Sequence, residues 1–201
     1  MRLPRWQRFC LIFTAVILLV WLGQGATLAY QPSIHVSPKT HPVYGTDVSA
    51  IRQSMSANSP IWYQGKKFDG YTRWYVRWRY YYRFANGECR IDPSRVFVDT
   101  EITFTMPQWQ DEQRSPPAVA LRWRRYINAL QLHEDGHKDN GINASQAIFR
   151  TLQQYSIPSD CTDLTASANA TAQAIIAQYH QADIEYDRRT GHGRTQGAVF
   201  P

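Results

Sequence analysis

The run YTRWYVRWRYYYRFANGE, residues 71–88, limits the fold more than any other stretch of the chain. Trp74, Val76, Trp78, Tyr80, Tyr82 and Phe84 share one parity, and Tyr75, Arg77, Arg79, Tyr81 and Arg83 share the other. Successive strand side chains point to opposite faces, so the run predicts a half-buried strand with an apolar face and an arginine face. Asn86-Gly87 follows at once and supplies the positive φ angles of a tight hairpin turn. The return strand begins near Cys89 and is interrupted at Pro93. It continues through RVFVDTEITFTMP, where Val96, Val98, Ile102 and Phe104 alternate with charged or hydroxyl residues. Residues 61–106 therefore read as an antiparallel sheet.

Helical spacing appears on both sides of this sheet. Upstream, after a Pro-containing entry segment, TDVSAIRQSMSANSP predicts a short helix capped by Thr46 or Asp47, with Val48, Ile51 and Met55 facing inward and Asn58 and Pro60 ending it. Downstream, QWQDEQRSPP breaks the alternation and Ser115-Pro116 opens a helical stretch, AVALRWRRYINALQLHEDGHKDNGINASQAIFRTLQQYS. Leu121, Ile127, Leu130, Ile148 and Leu152 are its expected core positions, and Asn140-Gly141 either ends one helix or bends a longer one. Residues 162–182 predict a last Ala-rich helix carrying Leu164, Ile175, Ile176 and Tyr179. The tail IEYDRRTGHGRTQGAVFP is Gly-rich and without periodicity, hence loop. A sheet-bearing N-terminal half followed by helices is α+β.

The helical stretch contains His133-Glu134-x-x-His137. At spacing i, i+4 two imidazoles project from one helix face within reach of a single ion. Catalytic zinc takes three protein ligands plus water, so two histidines are not enough. Glu134 is not a ligand in this grammar but the general base that takes a proton from the attacking water. Gly136 inside a helix costs about 1 kcal/mol relative to Ala, which points to close approach of another backbone. Asp135 and Asp139 are candidates to orient an imidazole. A helix of this kind following a sheet is the zincin arrangement, with a further helix C-terminal to it.

The third ligand is open. An extended motif with Gly at 140 and His at 143 is excluded, because both positions are Asn. A later-helix Glu-x-x-x-Asp pair has only the approximation Asp183 to Asp187. His192 is the leading candidate, since Gly191 and Gly193 free the backbone around it. Asp183, Glu185, Asp187 and His180 compete. Asp187 is also a candidate acceptor behind a histidine, and Tyr186 a candidate phenol for an oxyanion.

Residues 1–29 carry Arg2, Arg5 and Arg8, an apolar run from Phe9 to Leu22, and small residues ending at Ala29. That is the layout of a secretory signal peptide cleaved after Ala29. The run of about 14 residues is short for a membrane anchor, which takes about 20. The mature chain, residues 30–201, is expected to form one domain with no stable membrane span, secreted or periplasmic. Its formal charge falls from +6 to +3, because the segment holds three arginines and no acid. No Lys/Arg run remains that would suit nucleic acid. Cys89 and Cys161 survive cleavage, and an even count in an exported chain predicts one disulfide.

HEDGH, the later YDRRTGHGRTQGAVFP, the cysteine pair and the aromatic strand together resemble the bacterial domain-of-unknown-function family 922. The likeness spans roughly residue 35 to the end. It implies a secreted zinc-dependent protease, and it supports His192 and Asp187 as functional positions. The expected function is thus a zinc metallopeptidase, with His133, His137 and His192 holding Zn2+ and Glu134 as base. Its substrate is a peptide or protein, cell-wall peptide cross-links included, lying along an exposed strand edge. Two alternatives are a zinc hydrolase of a non-peptide bond and a non-enzymatic envelope module that binds glycan or peptide on Trp74 and Trp78.

Overall fold

The structure, a computed structural model, describes residues 31–63, 65–158 and 161–201. The expected leader, residues 1–29, lies outside the described residues. Strand β1 (Ser33–Val43) precedes helix α1 (Val48–Asn58) and a small hairpin of β2 (Trp62–Tyr63) and β3 (Lys66–Lys67). Then come β4 (Tyr71–Ala85), β5 (Glu88–Trp109), α2 (Pro117–Gln153), β6 (Ser156–Ile157) and α3 (Leu164–Thr190). This is α+β, with the sheet in the N-terminal half and the long helices after it. Among the described residues no helix is long and apolar enough to cross a membrane.

The β4–β5 hairpin forms as the alternation predicts, antiparallel, and turns on Asn86 (φ 55°) and Gly87 (φ 81°). Thr72 and Trp74 are buried, while Tyr71, Arg73, Tyr75, Arg77 and Arg79 face solvent. Pro93 interrupts the ladder without ending the strand. Tyr80 pairs with Val96 and Tyr82 with Ile91, so residues 92–95 are absorbed in an irregularity opposite Tyr81. Beyond it the apolar parity is no longer covered, and Tyr82 and Phe84 are exposed. The sheet also runs past residue 106, to Trp109.

The entry segment is in fact a strand. β1 pairs parallel with β5 over its whole length, Ser33 beside Asp99 to Val43 beside Trp109, and makes the sheet mixed, in the order β1-β5-β4. The Val43 carbonyl accepts from Gln110 N at 2.9 Å, so odd residues of β1 turn towards β5. Pro38 and Pro42 fall on the other parity, at the open edge, where a missing N–H costs nothing.

α1 begins at Asp47, whose side chain accepts from Ala50 N at 2.9 Å, and buries Ile51 and Met55. α2 is one helix of 37 residues, and Asn140-Gly141 neither ends nor divides it. Gly141 is needed there because a Cβ would come within 2.7 Å of the Trp74 ring. Its buried stripe runs through Ala120, Trp123, Tyr126, Leu130, His133 and His137 to Ile148 and Leu152. Leu121 falls off that stripe and is 51% exposed, contrary to expectation.

α3 runs eight residues beyond the expected end. Its last two turns bury polar side chains against α2 rather than apolar ones, so no hydrophobic period marks them. It stops at Gly191 (φ 59°), with His192 N–H bonded to the Asp187 carbonyl at 2.9 Å, a left-handed cap. The chain then returns across α2, and Phe200 is buried against Trp123 and Tyr126. Cys89 and Cys161 form the expected disulfide, which ties the start of β5 to the entry of α3.

Candidate metal centre

Two i, i+4 pairs meet between α2 and α3. His133 and His137 come from one helix, and Asp183 and Asp187 from the other. Asp187 Oδ1 lies 3.2 Å from His133 Nε2 and 3.1 Å from His137 Nε2. The three donor atoms lie within 4.8 Å of one another. Two ligands about 2.0–2.1 Å from one tetrahedral ion stand about 3.3 Å apart, so the cluster fits a metal with little adjustment. Both histidines are nearly buried, and Asp187 is partly open to solvent.

Each histidine is held at its other nitrogen. His133 Nδ1 is 3.0 Å from Gln196 Oε1, and His137 Nδ1 is 2.9 Å from Asp183 Oδ1. With Nδ1–H donating to these oxygens, both Nε2 atoms face the cluster, the usual way a ligating imidazole is oriented, and loss of the Nε2 proton of His137 would free its lone pair for an ion. Asp183 is itself fixed by the Trp74 indole N–H at 2.8 Å and the Asn140 amide at 2.7 Å. Gln196 also donates to the Tyr186 hydroxyl at 2.9 Å. The Tyr186 ring stacks on His133 and stands edge-on to His137, each at 5.1 Å. A Cβ at Gly136 would reach to 2.4 Å from this ring, so the helical glycine makes room for an aromatic side chain, not for a backbone. Gly193 (φ 81°) similarly lets the tail pass His133, where a Cβ would lie 3.0 Å from the imidazole Cγ.

Glu134 is buried beside the cluster. Its Oε2 accepts from the Thr72 hydroxyl of β4 at 2.8 Å. Its Oε1 faces Gly70, where a Cβ would come within 2.9 Å. Burial raises the carboxyl above its ordinary pKa, and the Thr72 bond and the two histidines only partly offset this. Burial pushes the His137 imidazole down, but its bonds to Asp183 and Asp187 outweigh that and lift it to about 10. Burial raises Asp187, and the bonds to His133 and His137 overcome it, leaving the carboxyl well below its usual range. Without an ion a proton screens these carboxylates; a cation would take over that role.

His192, expected as the third ligand, is not one of the three groups that converge. Its Nδ1 lies 3.4 Å from Asp187 Oδ2, its side chain is 53% exposed, and it holds a positive φ of 53°. Asp187, expected chiefly as an acceptor, supplies the third donor. His180 stacks on Trp74 at 4.2 Å, and Glu185 pairs with Arg188 on the exposed side. Asp135 and Asp139 pair with Lys138 and not with the histidines. Sequence reading missed Thr72, Asn140 and Gln196. The Asp183–Asp187 spacing is legible in the sequence, but the expected helix, residues 162–182, ends short of both, and α3 in fact carries them.

A family model described as bacterial protein of unknown function (DUF922) matches residues 38–193, more than three quarters of the chain. The chain belongs to DUF922. No curated protein and no solved structure matches it. The DUF922 match takes in Thr72, His133, Glu134, His137, Asp183 and Asp187 and stops before Gln196. Since the DUF922 description names no activity, the chemistry has to be read from the site.

Proposed function

We propose that this protein is an exported zinc-dependent metallopeptidase, and the observation that carries the reading is the meeting of His133 Nε2, His137 Nε2 and Asp187 Oδ1 beside a buried Glu134. Two neutral imidazoles and one carboxylate suit zinc better than calcium or magnesium, which take oxygen ligands. Zinc held there supplies a Lewis acid for the scissile carbonyl and lowers the pKa of a water to about 7. Glu134 takes a proton from the attacking water at Oε1 and returns it to the leaving amine, a task that a carboxyl raised by burial suits. Tyr186 accepts from Gln196, which leaves its own proton for a developing oxyanion.

β4 is a sheet edge, and Thr72 on it touches Glu134. An extended peptide pairing with that edge would bring a main-chain carbonyl to the cluster, so the substrate class is peptide or protein, cell-wall peptide included. The Cys89–Cys161 disulfide suits an oxidising, exported environment. The alternative platform on Trp74 and Trp78 loses its support. Both indoles turn inward, to Asp183 and to Asn169 at 2.9 Å. A zinc hydrolase of a non-peptide bond uses the same site.

The test is metal content of residues 30–201 beside Glu134→Ala, Asp187→Ala and His192→Ala. One zinc per chain in the parent, Glu134→Ala and His192→Ala, with loss in Asp187→Ala, is the expected result; peptide hydrolysis should vanish in Glu134→Ala. Loss in His192→Ala alone would restore that residue as ligand. No zinc in the reconstituted parent would overturn the reading.

A further inference from the structure

The face of the sheet turned away from α2 and α3 has no part in the metal centre. On β4, Thr72 points to Glu134 while its neighbours Tyr71 and Arg73 point the other way. Across the ladder, Tyr71 stands beside Thr105 and Lys39, and Arg73 beside Thr103 and Ser37. At this end the β2–β3 hairpin closes a groove of about 320 Å³ whose walls include Lys39, Trp62, Tyr71, Arg73, Thr103 and Thr105 and no carboxylate. Trp62 is 66% and Tyr71 49% exposed. Farther along the same face, Glu101 is already taken by Arg77 at 2.5 Å.

We propose that this groove binds an acidic polysaccharide, one whose sugar rings carry carboxylates. Two cations without an acid among them favour an anionic ligand. Large aromatic faces left in water beside threonine hydroxyls suit a ring that is apolar on its C–H face and polar at its rim. An acidic peptide is the weaker match for a structural reason. The groove floor is β5, whose backbone is paired with β1 on one side and β4 on the other, so it offers no main-chain partners for strand addition. Recognition on that floor is by side chains. The proposal does not depend on hydrolysis at the metal centre.

Calorimetric titration of the purified chain with oligogalacturonate, its methyl ester and oligoglutamate tests it. The free acid should bind and the other two should not. Lys39→Gln combined with Arg73→Gln should weaken binding roughly tenfold, and Trp62→Ala should weaken it comparably. Arg77→Gln, outside the groove, should leave it unchanged. A thermal melt like the parent's in these variants shows that they fold, and keeps this test separate from that of the metal centre. Absence of binding, equal binding of the ester, preference for oligoglutamate, or equal loss in Arg77→Gln would each overturn the proposal.

Discussion

Where α2 passes Ile148, Phe149 and Leu152, it packs on Cys89, Ile91, Val96 and Val98 of β5 and on Leu164, Ala168 and Ala172 of α3. Where the same helix passes His133 and His137, it meets Asp183 and Asp187 of the same α3. One helix pair thus makes an apolar contact tied down by a disulfide at one end and a polar contact at the other. Burying apolar side chains contributes about 1.5–3 kcal/mol each, whereas bringing carboxylates and imidazoles out of water has a net cost unless they are well paired. The lesson is a division of labour: the disulfide end holds the helices together, and that allows the far end to hold charged groups that would not hold the helices by themselves.

Removing a donor from the polar end tests this most sharply. Asp187→Ala should weaken metal binding by at least about a thousandfold, more than the 10–100-fold that goes with losing an outer partner. The metal-free protein should unfold at nearly the parent temperature. Competition with a chromophoric chelator and a thermal melt read the two quantities, and a collapsed melt would mean that the polar end carries the fold. The reverse experiment is Cys89→Ser with Cys161→Ser. A sequence separation of 72 gives about 4 kcal/mol in the chain-entropy model, seen as a lower urea midpoint. Metal affinity of the folded fraction should not change; if it falls too, the ends are coupled through α3.

Gln196→Ala is a smaller step at the polar end. It leaves all three donors in place but frees His133 Nδ1 and the Tyr186 hydroxyl, so affinity should drop 10–100-fold with little effect on stability. Gln196→Glu, which keeps an acceptor for His133, should recover most of the loss. An unchanged affinity in Gln196→Ala would show that stacking against Tyr186 alone orients the imidazole.

What could be read from the sequence follows the same division. The β4 alternation, the Asn86-Gly87 turn, the Asp47 cap and the His133/His137 spacing are local signals, each carried by a few neighbouring residues with one dominant physical cause. β1 was hidden because its prolines argue against a strand until it is known to lie at an edge. The end of α3 was hidden because its inward face is Asp183 and Asp187, polar residues whose partners lie some 50 positions away on α2. Leu121 misled because helical period fixes a stripe's spacing and not its phase. Gln196, a lone amide in a Gly-rich tail, has no signal at all until the tail folds back over His133.

Acid should separate the two ends. Beside the metal centre, the Asp69 carboxylate accepts from Arg52 at 2.5 and 2.7 Å and from the Tyr126 hydroxyl at 2.7 Å. Burial raises its pKa, but these bonds together overcome it and hold the group below its ordinary value. A carboxylate depressed in the folded state contributes stability that is fully present above its unfolded pKa, about 3.9, and is lost as pH falls through the folded value. Among the described residues, the apolar cluster at the disulfide end is built of side chains that do not titrate in acid. Below about pH 4, amide exchange should therefore quicken around Tyr126 and Leu130 before it does around Ile148 and Leu152. Asp69→Asn should cost roughly 1–3 kcal/mol at neutral pH, because the half-buried Arg52 loses its charge partner. It should also flatten the acid limb of the stability curve relative to the parent. Parallel acid limbs in the two proteins would mean that the cluster's own carboxylates, rather than Asp69, set the acid sensitivity of this end. Gly70 follows Asp69 directly and lies against Glu134, so loosening this network should reach the proposed base before it reaches the disulfide.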